Sequence, residues 1–145
     1  MVHGHDDVAR EALGRFIAKL ELTPVILHEQ ASQGRTIVEK LEHHGDVAHG
    51  DVAYAIVLLT PDDVGGKTPQ ELHSRARQNV VLELGYFLGR LGRDRVCALY
   101  RGELQLPSDC MGVIYIPFDS GGGWRLQLAK ELKAAGFSVD MNKAL

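Results

Sequence analysis

"VAYAIVLLT", residues 52–60, carries no charge and ends on Thr60, just before Pro61, Asp62 and Asp63. Such short, nearly continuous apolarity reads as a strand covered on both faces, the usual state of a strand in a parallel sheet. Working outward, "PVILHE" (24–29), "RVCALY" (95–100) and "GVIYIPF" (112–118) share its Val, Ile and Tyr content, and Gly, Pro or Asp bounds most of them. Helical patterns lie between: "DDVAREALGRFIAKLEL" (6–22), "RTIVEKLEHHG" (35–45), the segment around 75–92, and "WRLQLAKELKAAG" (124–136). In the first, Val8, Leu13, Phe16, Ile17 and Leu20 recur near i, i+3, i+4 spacing behind Asp6, a plausible N-cap. Alternating strands and helices predict a doubly wound, three-layer α/β fold with right-handed crossovers. "MV", before the first glycine, is read as the truncated end of a fifth, central strand.

With 145 residues, the chain fits one domain, 1–145, with a real core. Hydrophobic residues make up 45% and charged residues 24%, ordinary values for a globular protein. A formal net charge of −3 gives no general electrostatic reason to expect nucleic acid or an anionic membrane as partner. No apolar run approaches the roughly 18 residues of a membrane span, and no signal-peptide pattern opens the chain. Cys97 falls in a strand pattern and Cys110 in a loop, without metal-ligand spacing, which fits reduced thiols in a cytoplasmic protein.

Ligands of open parallel sheets bind beyond the carboxyl ends of the strands. "HGHDD" (3–7) and "TPDDVGG" (60–66) both follow strands there, and the helix pattern containing "NVVLELGYFLG" (79–89) begins after the second loop. Glu83 is the single charge inside that apolar run. A wheel places Val80, Val81, Leu84, Leu88 and Leu91 on one stripe and Asn79, Glu83, Phe87 and Arg90 on another side, with Glu83 at the boundary. Gly85 and Gly89 are expected to permit close approach of neighbouring backbone. Glu83 is either a surface ion-pair partner of Arg77 or Arg90, or a carboxylate held in a useful perturbed state. "PDDVGGKT" lacks the first glycine of a P-loop, since Pro61 stands there, and no G-x-G-x-x-G is present. "TPQE" reads as a capping box with Thr68 at the N-cap. His3 with His5, and His43 with His44, lack a third ligand at defined spacing, so no metal is expected. Arg35, at a helix start, suits a phosphate, while Thr36 beside it suits simple capping.

"VHGHDD", "LTPDDVGG", "RARQNVVLELGYFLGRLG", "LPSD" and "GVIYIP", in this order, resemble the bacterial TIR-like family of predicted nucleotide-binding proteins. Members include effector domains of cyclic-nucleotide-triggered anti-phage systems, among them TIR–STING fusions and pyrimidine-cyclase effectors. The resemblance implies a flavodoxin-like TIR fold with a five-stranded parallel sheet, and cleavage of NAD+ at the nicotinamide–ribose bond. It puts the catalytic glutamate at Glu83, with Arg77 and Asn79 matching the substrate-site positions before it; on that reading Gly4, His5, Asp6 and Asp62 contact ribose or nicotinamide, and Arg35 or Arg77 the diphosphate. NAD+ is then substrate rather than cofactor. Self-association is expected to complete the site, and a cyclic-nucleotide sensor on another domain or protein is an expected partner. Two other readings remain: a non-catalytic nucleotide-binding or assembly module, and a phospho-receiver-like signalling domain. The receiver reading has Asp6, Asp7 and Asp62 at strand ends, but lacks a lysine after "YIPFDS" and leaves Glu83 unexplained.

Overall fold

A computed structural model describes residues 1–27, 53–108 and 112–145. Four parallel strands form the central sheet: β1 (Val2–His3), β2 (Ala55–Leu59), β5 (Val96–Tyr100) and β6 (Ile114–Pro117), in the spatial order β1-β2-β5-β6. A separate antiparallel hairpin pairs β3 (Asp63–Gly65) with β4 (His73–Arg75). The helices are α1 (Asp7–Lys19), α2 (Gln78–Leu91) and α3 (Gly123–Ala134).

β2 is buried along its whole length, and its alternation divides the core. Ala55, Val57 and Leu59 face α2, where they pack with Val80, Leu84 and Phe87. Ile56 and Leu58 face α1 and α3, among Leu13, Phe16, Ile17, Trp124 and Leu128. Phe16 meets the Trp124 ring edge-on at 5.0 Å, and Phe118 stacks on its face at 4.5 Å. The doubly covered strand expected from "VAYAIVLLT" is therefore present. In register, Val2 lies opposite Val57, and Val57 opposite Ala98, so the strand ends after His3, Leu59, Tyr100 and Pro117 share one rim.

Four strands of the sheet lie among the described residues, against five expected for the whole chain, and two expectations about local elements need correction. The described part of the expected strand 24–29 forms no strand. It runs beside β1 on two backbone bonds, Met1 ammonium to the Val25 carbonyl (2.5 Å) and Leu27 N–H to the Met1 carbonyl (3.1 Å). A two-residue β1 is too short a template for a longer ladder. Residues 28–29 and the expected helix 35–45 lie outside the described residues. Thr68 caps no helix: Glu71 N–H donates to its carbonyl (3.1 Å) in the turn of the β3–β4 hairpin. Gly66 makes that turn possible, because a Cβ there would stand 1.9 Å from the Glu71 carbonyl oxygen.

On α1, Val8 is 71% exposed and Ala9 takes the buried position beside Leu13, Phe16 and Ile17. On α2, the buried residues are Val80, Glu83, Leu84 and Phe87. Their i, i+3, i+4, i+7 spacing is that of a core-facing stripe, so Glu83 is not at its boundary but within it. Gly85 and Gly89 point away from this stripe, and an added Cβ at either meets no described atom. Among the described residues, the expected close backbone approach is not made there. Gly85→Ala and Gly89→Ala should each raise stability by about 0.5–1 kcal/mol, the helix-interior penalty of glycine. Chemical denaturation measures this, and a loss instead would reveal a neighbour on that face.

Candidate active site

The rim is assembled from loops whose parallel strands all stop at the same level. After β1 the chain turns through Gly4, His5 and Asp6 into α1. After β2 it passes Thr60 and Asp62 into the hairpin, and α2 then starts behind Arg77. Asp62 joins the first two loops: its Oδ2 accepts the His5 backbone N–H (3.0 Å) and the Thr60 hydroxyl (2.7 Å). Gly4 is required by this closeness, since a Cβ there would stand 1.7 Å from the same oxygen.

Arg77 occupies the N-cap position of α2 without capping it by its side chain. Its Nη1 instead meets His5 Nε2 at 2.5 Å. A guanidinium has no acceptor, so Nε2 accepts and the ring proton of neutral His5 sits on Nδ1. Asp6 has two partners. Oδ1 accepts Ala9 N–H (3.0 Å), capping α1 as expected, and Oδ2 accepts from Arg101 Nη1 (2.6 Å). A cleft of about 320 Å³ opens beside this network, lined by Asp62, Asp63, Arg77, Gln78 and Asn79.

Glu83 lies one helical turn beyond Asn79, on the face of α2 that packs against β1, β2 and β5. Asn79 is exposed, whereas Glu83 is only 1% exposed. Burial pushes its carboxyl up to about 7, against the attraction of the Met1 ammonium and of Arg77 for the charged form. Desolvation outweighs both cations because the carboxylate sits among Val, Leu and Phe side chains.

The sequence-derived site therefore comes together in part. His5, Asp62 and Arg77 are joined by hydrogen bonds, Gly4 and Asp6 flank His5 on the same loop, and Asn79 lines the adjoining cleft. Glu83 is beneath the rim and does not line that cleft. Arg35 lies outside the described residues. Thr60 and Arg101 are additional participants that the sequence reading overlooked. Each directly follows a strand, β2 and β5, at the carboxyl edge already singled out, and that position was the available signal. Among the described residues no three His, Cys, Asp or Glu side chains gather into a metal-binding group, and no helix is long and apolar enough to cross a membrane.

Residues 1–120 match the family model described as "CAP12/Pycsar effector protein, TIR domain". The chain belongs to this TIR family. The protein YuaY of Escherichia coli K12, described as uncharacterized, is 47% identical to this TIR domain over all of the chain and 48% of its own length. Protein tirC of Dictyostelium discoideum is 34% identical over 81% of the chain and 62% of its own length. The Pycsar effector protein PaPycTIR of Pseudomonas aeruginosa is 35% identical over 73% of the chain and 32% of its own length. The TIR domain thus spans between 32% and 62% of the length of these relatives.

Two outcomes follow from the geometry. Gly4→Ala should cost about 1–3 kcal/mol by overpacking the rim against Asp62, read as a lowered melting temperature. The Glu83 carboxyl is protonated more readily in the folded chain than in the unfolded one, where 4.5 is the ordinary value. Between about pH 4.5 and 7 the folded state binds the extra proton, so its stability falls as pH rises through that window and is level above it. Glu83→Gln should flatten that slope and leave the variant more stable than wild type above pH 7, as denaturation across pH would record.

Proposed function

We propose that this TIR domain cleaves NAD+ at the nicotinamide–ribose bond, with Glu83 as the group that acts on the ribose. The observation that carries the reading is a carboxylate in the core register of a helix that begins at the rim. Such burial costs stability and is uncommon without a chemical use. Departure of nicotinamide leaves positive charge on the ribosyl C1′ and O4′, and nicotinamide leaves neutral, so no general acid is needed. A carboxylate beside that centre stabilises the cation, orients a ribose hydroxyl or bonds to C1′, as in other glycosyl transfers. Low polarity around Glu83 strengthens this attraction.

In this reading Asp62, Asn79 and the Gly4–Asp6 loop hold ribose or nicotinamide, and Arg77 or Arg35 the diphosphate. Because Glu83 is sealed, the elements above it open before the ribose reaches it, so binding and chemistry are separate steps. Self-association supplies the rest of the enclosure, and a cyclic-nucleotide sensor outside this domain supplies the trigger. Loss of NAD+ from an infected cell is the anti-phage outcome. The family membership supports the effector role, and the buried Glu83 supports the enzymatic one.

Glu83→Gln keeps shape and removes charge. It should lower nicotinamide release from NAD+ on the order of 100-fold or more, the scale of losing a main electrostatic group, while thermal unfolding occurs no earlier than in wild type. A variant with full turnover would overturn the assignment, and the domain would then act by binding or assembly. Since the ionised form is the active one, turnover should rise with pH and level off above about 7, where the Glu83 carboxyl loses its proton. Specific activity should also increase with protein concentration. Constant turnover per molecule across a dilution series would exclude a site shared between copies.

A further inference from the structure

Arg101 directly follows β5, and its backbone is fixed before its side chain begins. Its N–H donates to the carbonyl of Leu59 at the end of β2 (3.0 Å). The next residue, Gly102, has φ of 71°, a left-handed turn that takes the chain away and leaves the guanidinium projecting over the rim. There Nη1 reaches Asp6 Oδ2 at 2.6 Å, with Asp6 only 22% exposed. The other oxygen of Asp6 is committed to α1 through Ala9 N–H.

Between Asp6 and Gly4 stands His5, an exposed residue on the same short loop. Its backbone is fixed by Asp62, and its Nε2 accepts a hydrogen bond from Arg77 Nη1. We propose that Arg101 is a positioning residue for the site: by clamping Asp6 it holds the His5 ring against Arg77, and so sets where the Arg77 guanidinium points. Three strand ends then meet in one loop, β1 through its own chain, β2 through Asp62 and β5 through Arg101. The kinetic part of this inference rests on the NAD+-cleavage reading; the clamp itself does not.

The two parts have separate readouts. In ¹⁵N-histidine NMR at about pH 8.5, where an imidazole is neutral, wild-type His5 should show the Nδ1–H tautomer that the Arg77 contact demands. Assignment uses the loss of one signal set in His5→Asn. Arg101→Ala should shift His5 towards the Nε2–H form, and Arg101→Lys, which keeps the charge, should restore much of the wild-type signal. In nicotinamide release, Arg101→Ala should raise KM about 10-fold and change kcat no more than about 3-fold, because Glu83 stands on α2 rather than on the loop. An unchanged His5 tautomer in Arg101→Ala overturns the clamp, as does a pure loss of melting temperature with tautomer and KM unaltered. If wild type releases no nicotinamide, the NAD+-cleavage reading fails, and the His5 signal alone decides whether Arg101 positions the rim.

Discussion

Every feature of the rim depends on β2 being dry on both faces. Ala55, Val57 and Leu59 on one side and Ile56 and Leu58 on the other require a helix layer over each. Helices can cover both faces only if neighbouring strands are joined by crossovers, which makes the strands parallel. Parallel strands end together, and so His3, Leu59 and Tyr100 deliver Gly4, Thr60 and Arg101 to one place. The network there is a result of core coverage first and of polar chemistry second.

In the proposed reaction, Glu83 is where core and chemistry compete. A leucine at this position would satisfy the Val80, Leu84, Phe87 face without any desolvation cost. The carboxyl instead is pushed up to about 7, which keeps a substantial fraction protonated near neutral pH. Stability favours that protonated form, whereas the proposed attraction to a ribosyl cation would need the ionised one. Both demands fall on one proton, and the cations near the rim, Arg77 foremost among side chains, shift the balance towards the charge.

Much of the architecture was legible because its signals are local. "VAYAIVLLT" announces two-sided burial, Asp6 announces a cap, and strand–helix alternation announces the layers. The β3–β4 hairpin was not, since Asp63–Gly65 and His73–Arg75 are three-residue strands that hold no apolar alternation. The α2 stripe was misjudged for a related reason. Apolarity alone favours Val81 and Leu88 as inward residues, yet the sheet accepts Glu83 and Phe87 and leaves Leu82 60% exposed. Of the site, Gly4, His5, Asp6, Asp62 and Arg77 were readable from their place at strand ends and from family resemblance. Arg101 was not, because an arginine after a strand looks like any solvated charge until its partner across the rim is known.

Asp6 uses one oxygen for the first turn of α1 and the other for Arg101. At an ordinary N-cap, serine, threonine, asparagine and aspartate are near equivalents. Here each of the first three would keep the helix start and surrender the ionic link to β5. The choice at this position is therefore narrowed by geometry from four residues to one. A sequence could drift freely at other helix starts of this domain while staying fixed at residue 6, for reasons unrelated to how well that residue caps.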